Sequence, residues 1–234
     1  MDKQEVYATL NQAYFSADCH ERELLDNLAP LLAGAQLFVD IGASLGQYTL
    51  TASRCMRDGR IIAVEADPVR HEELARNAIR WSTDSGRAID AVFAAVGDKR
   101  GEVSFFTTNS NVSGGLFPRP TSSDLVWQEI RVPSVTLDDL CADEVPDFVK
   151  ADIEGAEIRM LKGATRILEH GRTVFLLELH AWADPLDCEN IPNFMRRWGY
   201  HPVAFFEHTL FMPLGMTYLR TKIAAGLRKL MRQR

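Results

Sequence analysis

Cysteine is sparse in this chain and unpatterned. Cys19, Cys55, Cys141 and Cys188 are widely spaced, and no two form a C-x-x-C pair. That excludes a disulfide frame and a thiolate zinc site, and reads as reduced, partly buried thiols of a cytoplasmic protein. No apolar run approaches the length needed to span a bilayer, and Met1-Asp2-Lys3-Gln4-Glu5 is not a signal peptide. Positive charge is also short: 26 basic residues stand against 32 acidic ones, a net −6, which disfavours a general nucleic-acid binder. No internal repeat or low-complexity tract interrupts the pattern. What remains is 234 residues of ordinary globular composition, 46% hydrophobic and 25% charged, enough for one α/β domain with a sizeable core.

Around one stretch the rest is organised: Leu37 to Tyr48. Leu37, Phe38 and Val39 read as a buried parallel strand that ends at Asp40, and Gly42 and Gly46 bracket a tight turn into a helix. A glycine there lets a ligand approach the backbone, and the free N–H groups of the helix start give it a polar rim. Two absences narrow the ligand. A Walker loop needs Lys and Ser or Thr after its last glycine, whereas Gly46 is followed by Gln47 and Tyr48. A dinucleotide fingerprint needs a third glycine where this turn carries Ser44, which disfavours a nicotinamide-dependent oxidoreductase. Asp40 would repel a pyrophosphate but suits the ammonium of S-adenosylmethionine. Glu65 ends the next strand, Arg60 to Glu65, where a carboxylate accepts both ribose hydroxyls. The expected cofactor residues are therefore Asp40, Gly42, Ser44, Gly46, Tyr48, Glu65, Ala66, Asp98 and Asp152.

Strands and helices alternate from Leu37 onward, predicting an α/β fold with a doubly wound, mostly parallel sheet. Helices are expected over Lys3–Phe15 and His20–Leu32, with Pro30 breaking the second early, so that residues 1–35 form a cap. The body spans 36–217. Within it a third strand runs from Ile89 to Val96, and residues 101–136 form a β insertion whose long loop lies over the active site. A helix interrupted by Gly163 is expected over Ala156–Leu168, and Tyr200–Phe206 with Thr209–Met212 form a terminal antiparallel hairpin. Residues 218–234 carry six basic residues and no acid, with Leu219, Ile223, Leu227 and Leu230 on one helical face. Such a helix packs on its own domain or rests on a membrane surface or acidic partner. The location implied is cytoplasmic, with a peripheral contact at the inner membrane face as the variant.

The chain resembles the FkbM-type methyltransferases, a branch of the class I, S-adenosylmethionine-dependent enzymes. The matching segments are Val39 to Gly46, Val64 to Pro68, Ala95 to Asp98, Val135 to Leu140, Val149 to Glu157 and Leu177 to His180. The Lys150-x-Asp152-x-Glu154-Gly155-x-Glu157 block is the most specific, and Ser44 departs from the Asn usual in the family. The resemblance implies a seven-stranded Rossmann-like sheet and O-methyl transfer to a hydroxyl of a sugar, a lipid-linked glycan or a polyketide-type product. It does not reach the terminal segments, so acceptor choice is left open.

An alcohol needs a base, and candidates must lie at the carboxyl edge of the sheet. Asp152 ends a strand there, Glu154 follows it, and His180 lies just past another strand end. Asp152 or His180 is the expected proton acceptor, oriented by Glu154 or Glu178, and the ordinary pKa of histidine suits a base near neutrality. Glu157 reads as a carboxylate at a helix N-terminus, and His208 has no evident partner. Asp152, Glu154, Glu178 and His180 are ligands of the kind Mg²⁺ takes, but no spacing is diagnostic and no metal is expected. A non-catalytic, cofactor-binding scaffold of the same fold is the remaining alternative.

Overall fold

The computed structural model describes residues 15, 21–108, 114–117, 126–180 and 185–215, the side chains of 185–189 excepted. The expected first helix (apart from residue 15), the basic tail and most of the long loop after the fifth strand lie outside these residues.

The described chain runs α1 (Arg22–Leu32), β1 (Leu37–Ile41), α2 (Gln47–Cys55), β2 (Arg60–Glu65), α3 (Pro68–Ser85) and β3 (Ala88–Phe93). It continues with β4 (Ala95–Val96), β5 (Gly101–Thr108), β6 (Gly114–Gly115), β7 (Trp127–Val135), α4 (Leu137–Cys141) and β8 (Phe148–Ala151). The last elements are α5 (Glu157–Lys162), α6 (Thr165–His170), β9 (Val174–Leu177), α7 (Pro185–Arg197), β10 (Tyr200–Phe205) and β11 (His208–Pro213).

Seven strands form the main sheet in the order β10-β11-β9-β8-β1-β2-β3, with β11 antiparallel to both its neighbours. The pleat divides its side chains between two faces. Leu37, Val39 and Ile41 face α4 to α7, where Leu137, Ile158, Leu161, Ile167 and Met195 cover them. Phe38, Ile61, Phe148 and Leu176 face α1 and α2, against Leu24, Leu28, Leu32 and Ala52. Because β1 and β8 are sandwiched between helices, each is apolar on both faces, which is why they read as continuous runs.

Several boundaries differ from expectation for local reasons. The α1 helix continues through Pro30 to Leu32, because a proline in the last turn removes only one backbone bond before the helix ends anyway. The expected third strand divides: β3 stays in the main sheet, whereas β4 turns away to join a second sheet, β4-β7-β5-β6, built from the insertion. The interruption expected at Gly163 is a full break into two helices, and a Cβ there would meet the Gly97 carbonyl oxygen at 2.1 Å. Only glycine permits that approach.

Topology decides what reaches the site. All the parallel strands end at one edge, and β11, running the other way, begins there. His208 therefore emerges beside Glu178, just beyond the end of β9, although 30 residues separate the two in sequence.

Candidate active site

The cleft opens at that edge, between the main sheet and the insertion sheet. One half is built by the β1–α2 turn. Gly42 adopts φ 71°, and a Cβ there would lie 1.9 Å from the Asp152 carbonyl oxygen, so only glycine allows the tips of β1 and β8 to close together. Ser44, at φ 51°, holds a left-handed conformation that side chains other than Asn, Asp and Gly seldom adopt. Its N–H donates to Glu65 Oε2 at 2.8 Å, while the Asp67 N–H donates to Oε1 at 2.8 Å. Glu65, only 5% exposed, thus ties two turns together and lines the cleft with Val64, Ala66, Val96 and Phe105. Burial pushes its carboxyl above the usual range, against the pull of Arg70 and the two amide bonds. Asp67 caps α3 and also accepts the Thr107 hydroxyl at 2.6 Å, which fastens the insertion sheet to the rim.

The other half is acidic. Asp152 and Glu154 line the cleft, the second at φ 58°, so two of the four described non-glycine residues with positive φ border it. Strain of this kind persists where surrounding structure enforces it, commonly at functional sites. His180, largely buried, stands behind them. Its Nδ1 lies 3.0 Å from Glu157 Oε1; its Nε2 faces Glu154 at 3.4 Å, Glu178 at 3.5 Å and Asp152 at 3.7 Å. Burial alone would lower the imidazole pKa, but hydrogen bonds to Glu157 and Glu178 and the surrounding carboxylates outweigh it and raise the value to about 9. Glu178 is held below the usual carboxylate range, chiefly by its hydrogen bond to His180.

Beneath the cleft, Lys150 is enclosed between Asp40 (3.9 Å) and Asp152 (3.8 Å), its ammonium 4.5 Å from the centre of the Tyr48 ring. The Tyr48 hydroxyl donates to Glu21 Oε1 at 2.8 Å and lies 3.5 Å from His208 Nε2. Burial lowers the pKa of His208 to about 4, with Lys150 adding to the effect.

The segment 40–202 matches the family model described as the methyltransferase FkbM domain. The chain belongs to the FkbM methyltransferase domain family. A crystal structure of the methyltransferase FkbM from Methylobacillus flagellatus KT superposes with a TM-score of 0.54 at 21% identity, covering 76% of this chain and 43% of that one. Among curated proteins, the hexuronic acid methyltransferase AglP of Haloferax volcanii is 26% identical over 160 residues, 65% of this chain and 59% of AglP. The ribosomal RNA small subunit methyltransferase G of Neisseria gonorrhoeae is 33% identical over 82 residues, 34% of this chain and 40% of that protein. This chain therefore spans less than two thirds of the length of these relatives. The class I sheet expected from the family resemblance is the sheet observed.

Within this FkbM domain the residues in and around the site separate into three groups. Gly42, Ser44, Glu65, Ala66, Asp152 and Glu154 meet at the cleft. Asp40, Tyr48 and Gly46 do not line it. Asp40 shares the face of Phe38 and pairs in register with Lys150, so its carboxylate points under α2, is 0% exposed, and accepts the Thr49 N–H (3.0 Å) and hydroxyl (2.7 Å). A direct grip on a ligand ammonium, expected from the sequence, is replaced by support of the β1–α2 turn from below. Gly46, at φ 95°, serves helix packing, since a Cβ there would lie 2.6 Å from Trp81. Asp98 is exposed on the β4–β5 turn and takes no part in the cleft. The third group was not expected: Glu21, Lys150, Glu157 and His208. Glu157, only 1% exposed, is more than a helix-end carboxylate, for it accepts the Gly155 N–H at 3.2 Å and fixes His180. The premise of a histidine base near neutrality also changes, because four carboxylates around one ring keep it protonated.

No helix among the described residues is long and apolar enough to cross a membrane.

Proposed function

We propose that this protein is an S-adenosylmethionine-dependent O-methyltransferase that acts on a hydroxyl of a sugar, a glycan or a polyketide-type product. The observation that carries the reading is the convergence in one cleft of Glu65, with its apolar neighbours, and of Asp152 and Glu154. The first set fits an adenosyl group. Each Glu65 oxygen takes one backbone N–H and keeps acceptor capacity for a ribose hydroxyl, while Val64, Ala94, Val96 and Phe105 supply apolar walls. The adjoining carboxylates suit the positive charges of the amino acid and the sulfonium. S-adenosylmethionine supplies a methyl group on sulfur, and its carbon–sulfur electron pair leaves with the sulfur.

The protein's own work is to align the acceptor and remove its proton. His180, with a pKa of about 9, already holds a proton at neutral pH, so the acceptor proton passes to one of the two carboxylates that line the cleft. Glu157 and His180 hold those carboxylates in place. AglP acts, by its name, on a hexuronic acid. A cleft bordered by Asp152 and Glu154 repels an acceptor carboxylate, which favours a neutral hydroxylated ring here.

The test is transfer of labelled methyl from S-adenosylmethionine to a panel of neutral glycosides, glycan fragments and uronic acids, with calorimetry of S-adenosylhomocysteine binding. Label on a neutral hydroxyl supports the proposal. A protein that binds S-adenosylhomocysteine yet methylates no hydroxyl would be the scaffold instead, and one that does not bind it would overturn the cofactor assignment.

A further inference from the structure

We propose that Lys150 is a positioning residue whose buried charge sets how strongly the cleft prefers a sulfonium donor to the spent thioether. The inference rests on the methyl-transfer reading. Lys150 is 2% exposed and pairs in register with Asp40 on the neighbouring strand. Among the described residues its ammonium meets the Gly42 carbonyl oxygen at 3.5 Å, Asp152 Oδ2 at 3.8 Å, Asp40 Oδ1 at 3.9 Å and the centre of the Tyr48 ring at 4.5 Å. A lysine held for its bonds closes on a carboxylate to about 2.7–2.9 Å. Here the gaps are wider, and what the side chain supplies is charge.

Asp40 is arranged to match. Its Oδ2 takes both Thr49 bonds, whereas Oδ1, on a side chain 0% exposed, accepts no hydrogen bond and is left to face the ammonium. Burial would lower the lysine pKa, but Asp152, Asp40, Glu21 and Glu178 outweigh it and raise the value, so the cation is permanent at neutral pH. Two of its partners, Gly42 and Asp152, line the cleft. Lys150 therefore stands one layer beneath the floor, at the end where Asp152 and Glu154 favour positive charge.

Lys150 subtracts from that attraction, and Asp40 offsets part of the subtraction. Positive charge on sulfur is present before methyl transfer and gone after it, so a fixed cation below opposes the charged donor more than the transition state or the product. At about 8 Å and an effective dielectric of about 20, two unit charges alter an equilibrium by roughly tenfold to thirtyfold. Lys150 thus gives up donor affinity in favour of turnover.

The test is calorimetry of S-adenosylmethionine and S-adenosylhomocysteine on the full chain, read as the ratio of their two dissociation constants. Lys150→Met should shift the ratio toward S-adenosylmethionine by roughly tenfold or more. Asp40→Asn should shift it the other way by roughly threefold to tenfold, and Lys150→Arg should keep the native ratio. Damage to packing weakens both ligands together and leaves the ratio alone, so the ratio separates charge from structure. In turnover, Lys150→Met should lower the donor KM and kcat together, the signature of a removed ground-state cost. Circular dichroism checks folding; Lys150→Gln replaces Lys150→Met if that variant does not fold, and Asp40→Asn decides if neither does. Variants that bind both ligands with the native ratio overturn the proposal and leave the methyltransferase reading standing. A native protein that binds neither ligand defeats that reading, and this inference with it.

Discussion

Replacing Glu65 by Gln preserves shape and removes one property, the ability of both oxygens to accept. In the native protein those oxygens take the Ser44 and Asp67 N–H groups, each at 2.8 Å, on a side chain 5% exposed. The glutamine amide turns a donor toward one of those N–H groups. A lost hydrogen bond to a charged group is worth about 1.5–3 kcal/mol. For a chain of this size about 1 kcal/mol moves the melting temperature by roughly 2–4 °C, so the ligand-free protein should melt about 3–12 °C lower. The same amide also loses the charged acceptor for ribose, which at about 1.5–3 kcal/mol weakens S-adenosylhomocysteine by roughly tenfold to 150-fold. Thermal melts without ligand and titration calorimetry with it read the two effects separately. A variant that melts lower but binds S-adenosylhomocysteine within twofold of the native protein would refute the reasoning, reducing Glu65 to a brace between turns.

Asp40→Asn should give the opposite signature. The side chain is 0% exposed and bonds Thr49, so the melting temperature should fall by several degrees while S-adenosylhomocysteine affinity changes less than about fivefold in calorimetry. Gly46→Ala forces a Cβ to within 2.6 Å of Trp81 at a residue with φ 95°. Chemical denaturation should show a loss of about 1–3 kcal/mol or more, because overpacking and backbone strain both act. Ser44→Asn places a side chain tolerant of the left-handed region where φ is 51°, and should raise the melting temperature by about 1–2 °C without weakening cofactor binding.

Much of the fold was legible because burial writes itself into composition. Val39, Ile62, Val149 and Phe175 sit in strands covered on both sides, so each segment reads as an apolar run bounded by a turn. Gly42 and Glu65 were legible for a related reason: the backbone conformation and the strand-tip position each favour few residue types. Asp40 misled because a carboxylate at a strand end looks the same in sequence whether it faces solvent or the underside of a helix. Only pairing with Lys150 on the neighbouring strand reveals the face it takes. His208 was opaque because its partners are Tyr48, 160 residues away, and Glu178, reached by inserting an antiparallel strand beside β9. Glu157 was read from its own helix, whereas its role comes from the ring that stands over it.

The cleft has two walls of separate origin. One is the edge of the main sheet, where Gly42, Glu65 and Asp152 are locked together by backbone contacts that tolerate little change. The other is the insertion sheet, which contributes Phe105, Gly114, Gly115 and Leu116 and is joined to the first wall by the bond from Thr107 to Asp67. Grafting a different β5–β7 hairpin onto this frame, with Phe105 and Thr107 kept, would alter which acceptors are admitted while leaving the proposed donor's berth intact.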